Sequence, residues 1–180
     1  IFLRNQKEAV YSLYKDDIQL GHTMSFKKWF EEREKNNALN YFLYFEIVKH
    51  YQKIFGKNNV KIFFYEELFA NNGLVKFLKS FNFIIKNEYK NIFSYERANE
   101  SQSDFVIKLS RFINRLIPTK LSQGYTDGYF GDLIVYNLWR YKFSKIFNKI
   151  FYSKKIPTNK KFENFLIDCQ KNNLQLKKII

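Results

Sequence analysis

The first fourteen residues, Ile1-Phe-Leu-Arg-Asn-Gln-Lys-Glu-Ala-Val-Tyr-Ser-Leu-Tyr14, constrain the fold most, because the hydrophobic period changes abruptly within them. A short apolar run ends in Arg4, and helical spacing begins at once. Residues 1–4 therefore read as the end of a buried strand and residues 6–15 as a helix. Asn5 is placed to cap that helix, and Glu8, three residues later, completes a capping-box spacing. A strand that delivers an arginine to a helix N-terminus makes a place for an oxyanion. The first turn presents free N–H groups, and a guanidinium matches phosphate in a bidentate way. Ser12, one to two turns into the helix, could add a hydroxyl to the same anion.

The rest of the first half alternates helical and strand-like patterns. Lys15 to Met24 reads as a polar loop, residues 26–35 as a helix broken at Asn36-Asn37, and residues 39–55 as a long amphipathic helix stopped by Gly56. Residues 60–65 form a near-continuous apolar and aromatic run, suited to a strand buried on both faces of a parallel sheet. A turn at Asn71-Asn72-Gly73 leads into a helix through Phe81. Strands alternating with helices imply an α/β layer architecture, with the strand at 60–65 parallel to residues 1–4 and the helix at 39–55 packed on one face. After residue 100 the strand signal fades. Phe105–Ile117 reads as a basic amphipathic helix, Gln123–Gly131 as a glycine-rich loop, Leu133–Tyr152 as an aromatic and lysine-rich helix, and residues 162–178 as a last helix. We read one domain over 1–180, with an α/β part at 1–100 and a helical, basic part at 101–180.

This arrangement resembles the sulfotransferase superfamily that uses 3′-phosphoadenosine-5′-phosphosulfate (PAPS). Its signature is a strand, Arg-(Asp/Asn)-Pro, a Ser eight residues after the Arg and an aromatic two further on. Here Arg4, Asn5, Ser12 and Tyr14 match, and Gln6 stands where the family has Pro. Pro there only preorganises φ, so Gln6 should cost little. Ser25-Phe-Lys-Lys-Trp29 resembles the family's following helix, and Tyr65-Glu-Glu-Leu68 its next strand end. Arg97-Ala-Asn-Glu-Ser101 resembles a Val-Asn-x-Ser element of bacterial and carbohydrate sulfotransferases. Asn173 and Leu176 keep the Asn-x-x-Leu spacing of the closing helix.

The resemblance implies a P-loop-like three-layer sandwich with a parallel sheet. It also implies transfer of a sulfuryl group from PAPS to a hydroxyl acceptor, a carbohydrate by preference, leaving adenosine 3′,5′-bisphosphate and using no metal. Arg4 and Ser12 would hold the 3′-phosphate. The catalytic residues are unknown; the family's first phosphate-binding loop and its usual base are expected upstream of Ile1. His22 is the one candidate within the chain. His22, Asn99, Ser101 and Arg111 are candidates for the acceptor wall. Glu66 and Glu67 are expected to be structural, pairing with or capping nearby backbone.

Two histidines and the single Cys169 offer no metal-ligand spacing and exclude an internal disulfide. No apolar run approaches a membrane span. The compartment expected is the cytoplasm if the protein is bacterial, with Golgi-type anchoring ahead of the chain the other option. The formal net charge is +14, and it is uneven: residues 101–180 carry 15 basic and 5 acidic side chains. That field attracts anions. An acidic glycan fits the resemblance, and no nucleic-acid partner is expected from it. Two alternatives remain. A basic nucleic-acid-binding module would show a contiguous basic stripe with exposed aromatics and no pocket at Arg4. A P-loop kinase relative would take a nucleoside triphosphate with magnesium. The aromatic and lysine stripe from Trp139 to Tyr152 could lie on a membrane or pack on the core.

Overall fold

The computed structural model describes residues 1–68, 73–83, 102–116, 144–151, 153 and 155–179. These are mostly helical, with one two-stranded parallel sheet, an α/β arrangement in the broad sense. They group into two compact units: Ile1–Glu8, Leu39–Asn99 and Asn164–Ile180 in the first, Ala9–Ala38 and Glu100–Glu163 in the second.

The first unit is organised by the sheet. Strand β1 (Phe2–Leu3) pairs in parallel with β2 (Phe63–Phe64), Phe2 opposite Phe63 and Leu3 opposite Phe64. Successive side chains in a strand point to opposite faces, so each strand offers one residue per side. On one side Leu3 is buried with Val48 of helix α3 (Tyr44–Phe55) and Leu176 of helix α8 (Lys160–Leu176). On the other, Phe2 and Phe63 meet Phe77 of helix α5 (Gly73–Lys79), with ring centroids 5.1 and 4.9 Å away. Edge-to-face and tilted aromatic pairs of this kind add about 0.5–1.5 kcal/mol each beyond the area they bury. The parallel pairing and the packing of α3 are those the sequence implies.

Three expectations in this unit need correcting. The strand at 60–65 shrinks to Phe63–Phe64: a 3₁₀ turn occupies Lys57–Asn59, and helix α4 (Tyr65–Leu68) begins at Tyr65. Nor is it buried on both faces, since Phe63 is half-buried and Phe64 exposed. An apolar aromatic run gives no signal of where a strand turns into a helix; here Glu66 and Glu67 supply the acidic first turn that a helix N-terminus favours. The helix expected at 39–55 is broken at Leu43 into a 3₁₀ turn (Asn40–Phe42) and α3. Leu43 cannot cap α3 with its own side chain. Asn172 of α8 does so instead, its Oδ1 accepting from Phe45 N at 2.8 Å. Gly56 ends α3 at φ +84°, a conformation other residues rarely adopt. Gly73 answers to space, because a Cβ there would overlap the Glu67 carbonyl.

The second unit has an aromatic core. Helix α1 (Gln6–Gln19) buries Val10, Tyr11, Tyr14 and Ile18 at helical spacing, which carries it past the expected end at residue 15. Helix α2 (Phe26–Lys35) starts where expected, capped by Ser25 through Lys28 N at 3.4 Å. Phe26 contacts the rings of Tyr11, Tyr14, Trp29 and Phe162. Helix α6 (Asp104–Leu116) adds Val106 and Ile107. Of the helix expected at 133–152, the described part is α7 (Ser144–Ile150). Burying a carboxylate demands partners, and Asp17 has two. Asp17 Oδ2 accepts from Trp29 Nε1 and from the Arg33 guanidinium, both at 2.6 Å.

Asp17→Ala should therefore cost roughly 2 kcal/mol, since charge-assisted bonds contribute about 1.5–3 each but Arg33 regains water. Asp17→Asn, which keeps an acceptor for Trp29, should cost less. Denaturant titration of both variants checks the order. A second expectation concerns pH. Burial pushes the Cys169 thiol from 9.0 up to about 12 and raises Tyr11, Tyr14 and Tyr44 above 10.0. Above pH 9 the unfolded chain releases these protons while the folded chain holds them, so stability is full below that pH and falls as pH rises. Thermal melts at pH 7 and pH 10.5 should show the loss, and Cys169 should resist alkylation at pH 8 until the protein unfolds.

Candidate functional site

The chain leaves β1 through a corner that three side chains fix. Tyr44 holds the Arg4 backbone at both ends: its hydroxyl accepts from Arg4 N at 3.4 Å and donates to Arg4 O at 2.8 Å. Gln6, the first residue of α1, is buried and exchanges two amide hydrogen bonds with Asn173, at 2.8 and 3.2 Å. It also donates to the Phe42 carbonyl at 3.4 Å. Asn5 caps α1, its Oδ1 accepting from Glu8 N at 3.3 Å. The second half of the capping box is not made by Glu8. Asn5 N donates instead to Glu66 Oε1 at 2.8 Å, so Glu66 has the structural role expected of it.

The Arg4 side chain is 36% exposed, and its guanidinium reaches α4 and the first turn of α1. It stands 5.0 Å over the Tyr65 ring and 3.9 Å from the Glu8 carboxylate. That ion pair is exposed on both sides, and pairs of this kind contribute only about 0.2–1 kcal/mol. Arg4 Nε is buried and has no hydrogen-bond partner among the described residues. A buried donor left unmet costs about 1–3 kcal/mol, so this nitrogen favours any acceptor that reaches it. The setting is thus a cation at the C-terminal end of a parallel strand beside a helix N-terminus, with two carboxylates, Glu8 and Glu66, close by. At the C-terminal end of β2 a cavity of about 310 Å³ opens beside Phe64, Glu67, Lys76 and Phe77. Ligands of open α/β sheets collect at such strand ends.

The other expected site residues are distributed as follows. Ser12 is half-buried on α1, in the second unit. His22 and Arg111 come together in that unit, where α6 secures the turn after α1. Asn114 Nδ2 donates to the carbonyls of Ile18 and His22 at 2.7 and 3.0 Å, and Arg111 Nε donates to the Thr23 carbonyl at 3.3 Å. Arg111 is thereby partly committed to holding the backbone. Asn99 and Ser101 lie outside the described residues. The sequence reading missed Tyr44 and the role of Gln6. The signal for Gln6 was present: an amide stands where a proline is usual, and an Asn lies in the closing helix. Among the described residues no group of three or more metal-binding side chains occurs.

No family model, no curated protein and no solved structure matches the chain.

Tyr44→Phe should release both ends of the Arg4 peptide, at a cost of about 1–2 kcal/mol. A double-mutant cycle on Gln6→Ala and Asn173→Ala should show coupling of about 1 kcal/mol, because each side chain is the other's partner. Additive losses would mean that the amide pair does not hold the corner.

Proposed function

We propose that the chain carries the donor-anchoring half of a PAPS-dependent sulfotransferase, with Arg4 on the 3′-phosphate. The observation that carries this reading is the Arg4 guanidinium, carried on a held backbone at the C-terminal end of β1 and with a buried, unmatched Nε. The fit can be judged by magnitude. A phosphate would meet the guanidinium through charge-assisted bonds of about 1.5–3 kcal/mol, more than the exposed Glu8 pair contributes. Glu8 and Glu66 work against a dianion, so the site favours a ligand anchored elsewhere as well, as a nucleotide is. Helices against both faces of the parallel pair support a P-loop-like three-layer sandwich as the frame.

In this reading a hydroxyl of the acceptor, a carbohydrate by preference, attacks the sulfur of PAPS in line. The acceptor O–S bond forms, the S–O bond to the 5′-phosphate breaks, a base takes the hydroxyl proton, and adenosine 3′,5′-bisphosphate departs. Arg4 touches none of the reacting atoms. It converts remote binding energy into placement of the sulfuryl group.

Calorimetric titration with adenosine 3′,5′-bisphosphate and with adenosine 5′-phosphate tests the assignment. Arg4→Ala should weaken the bisphosphate at least about tenfold and the monophosphate little, since 1.4 kcal/mol is a factor of ten. Glu8→Gln should tighten the bisphosphate by a few-fold, because it removes a like charge at the phosphate and frees the guanidinium. Equal losses for both nucleotides in Arg4→Ala would remove the basis for a 3′-phosphate site. Tighter binding of ATP with magnesium than of the bisphosphate would favour a kinase relative instead.

A further inference from the structure

The end of the first unit opposite Arg4 has a composition that the proposed donor site does not use. The strands are parallel, so Arg4 marks their C-terminal end. The other end gathers the last turn of α3, the segment leading into β2, and the end of α5. Lys61 joins the segment before β2 to the end of α5 and the start of β1: its Nζ donates to the Ser80 carbonyl and stands 5.1 Å from the Phe81 ring, while its own carbonyl accepts from the Ile1 amino group at 2.7 Å. The core-facing stripe of α3 continues beyond the core here. Ile54 and Phe55 are 57% and 54% exposed, and Phe81 and Phe83 after α5 are 48% and 60% exposed. Isolated exposed apolar residues are ordinary, but four large ones at one end of a small unit are not.

The charges at this end are of one sign. Lys53, Lys57, Lys61 and Lys79 are all exposed there. No Asp or Glu occurs from Ile47 to Tyr65, nor from Gly73 to Phe83. Exposed aliphatic and aromatic tips ringed by lysines suit an interface with an apolar interior and an anionic surface. A second copy of the chain fits poorly, since it would bring the same lysines face to face on a protein of net charge +14. A nucleic acid would use the phenylalanine rings but gain nothing from Ile54, which offers no stacking face. No helix among the described residues is long and apolar enough to cross a membrane, so the contact would be peripheral. We propose that this end of the unit, Ile54, Phe55, Phe81 and Phe83 with Lys53, Lys57, Lys61 and Lys79, docks on an anionic lipid bilayer. Arg4 then faces away from the bilayer, towards water.

Vesicle flotation of the full chain tests this, with vesicles of phosphatidylcholine alone and of equal parts phosphatidylcholine and phosphatidylserine. The chain should float with the anionic vesicles, fail to float with the neutral ones, and dissociate progressively as salt is raised. Lys53→Ala with Lys57→Ala should lower the partition coefficient about thirtyfold, from roughly fivefold per lysine near an anionic surface. Ile54→Ser with Phe55→Ser, at positions too exposed to endanger folding, should also lower it while circular dichroism stays unchanged. Lys27→Ala with Lys28→Ala, an equal charge change on α2, should leave binding near that of the parent. Equal loss in the two lysine pairs would overturn the proposal, because charge alone would then account for it. So would a dimer in sedimentation that Phe55→Ser abolishes, or retention on single-stranded RNA without flotation.

Discussion

The first unit depends on a hydroxyl that holds the backbone of one residue at both ends. Tyr44 accepts from Arg4 N and donates to Arg4 O, so the residue between strand and helix cannot rotate without breaking both bonds. Gln6 then enters α1 already paired with Asn173, and Asn172, next to it in α8, caps α3, the helix that carries Tyr44. The contacts close on themselves: α8 positions α3, α3 positions the Arg4 peptide, and α8 also secures the start of α1. Burial raises the Tyr44 pKa, so the hydroxyl stays protonated and able to donate throughout the physiological range.

The consequence for chemistry is preorganisation. An arginine on a free loop would lose side-chain and backbone entropy each time it bound an anion. Here the backbone is fixed by folding, and the guanidinium has Tyr65 on one side and Glu8 on another. The nearby carboxylates carry a cost, since they repel the anion the arginine would hold. They also keep the corner folded without a ligand, Glu66 by taking the Asn5 N–H that would otherwise lack a partner.

Much of this corner was legible in the sequence because its signals are local. Asn5 caps α1, Gly56 ends α3, and β1 pairs in parallel with a strand beyond α3, all as spacing and residue type suggested. What failed were boundaries set by partners distant in sequence. Nothing near Leu43 shows that Asn172 will cap α3, so the break in the helix expected at 39–55 was invisible. Gln6 read as a harmless replacement for proline, whereas its side chain joins two segments 167 residues apart. The reciprocal capping box at Asn5 and Glu8 was reasonable on spacing, but Glu66 competes for the same N–H and takes it. The aromatic run at 60–65 gave length without register: hydrophobicity alone could not show that Tyr65 turns away into α4.

The two ends of the small parallel sheet differ in character. At the C-terminal end an arginine with a held backbone stands beside a helix N-terminus, and at the N-terminal end exposed lysines accompany bare apolar tips. The claim that matters most is that Arg4 is the phosphate reader, and its own nitrogen can report on it. The Arg4 Nε–Hε resonance, assigned by comparison with Arg4→Lys, should move downfield when adenosine 3′,5′-bisphosphate is added, as a buried donor gains a charged acceptor. It should stay in place with adenosine 5′-phosphate. If the bisphosphate binds and shifts other resonances while the Arg4 signal does not move, the phosphate lies elsewhere and the account is wrong at its centre.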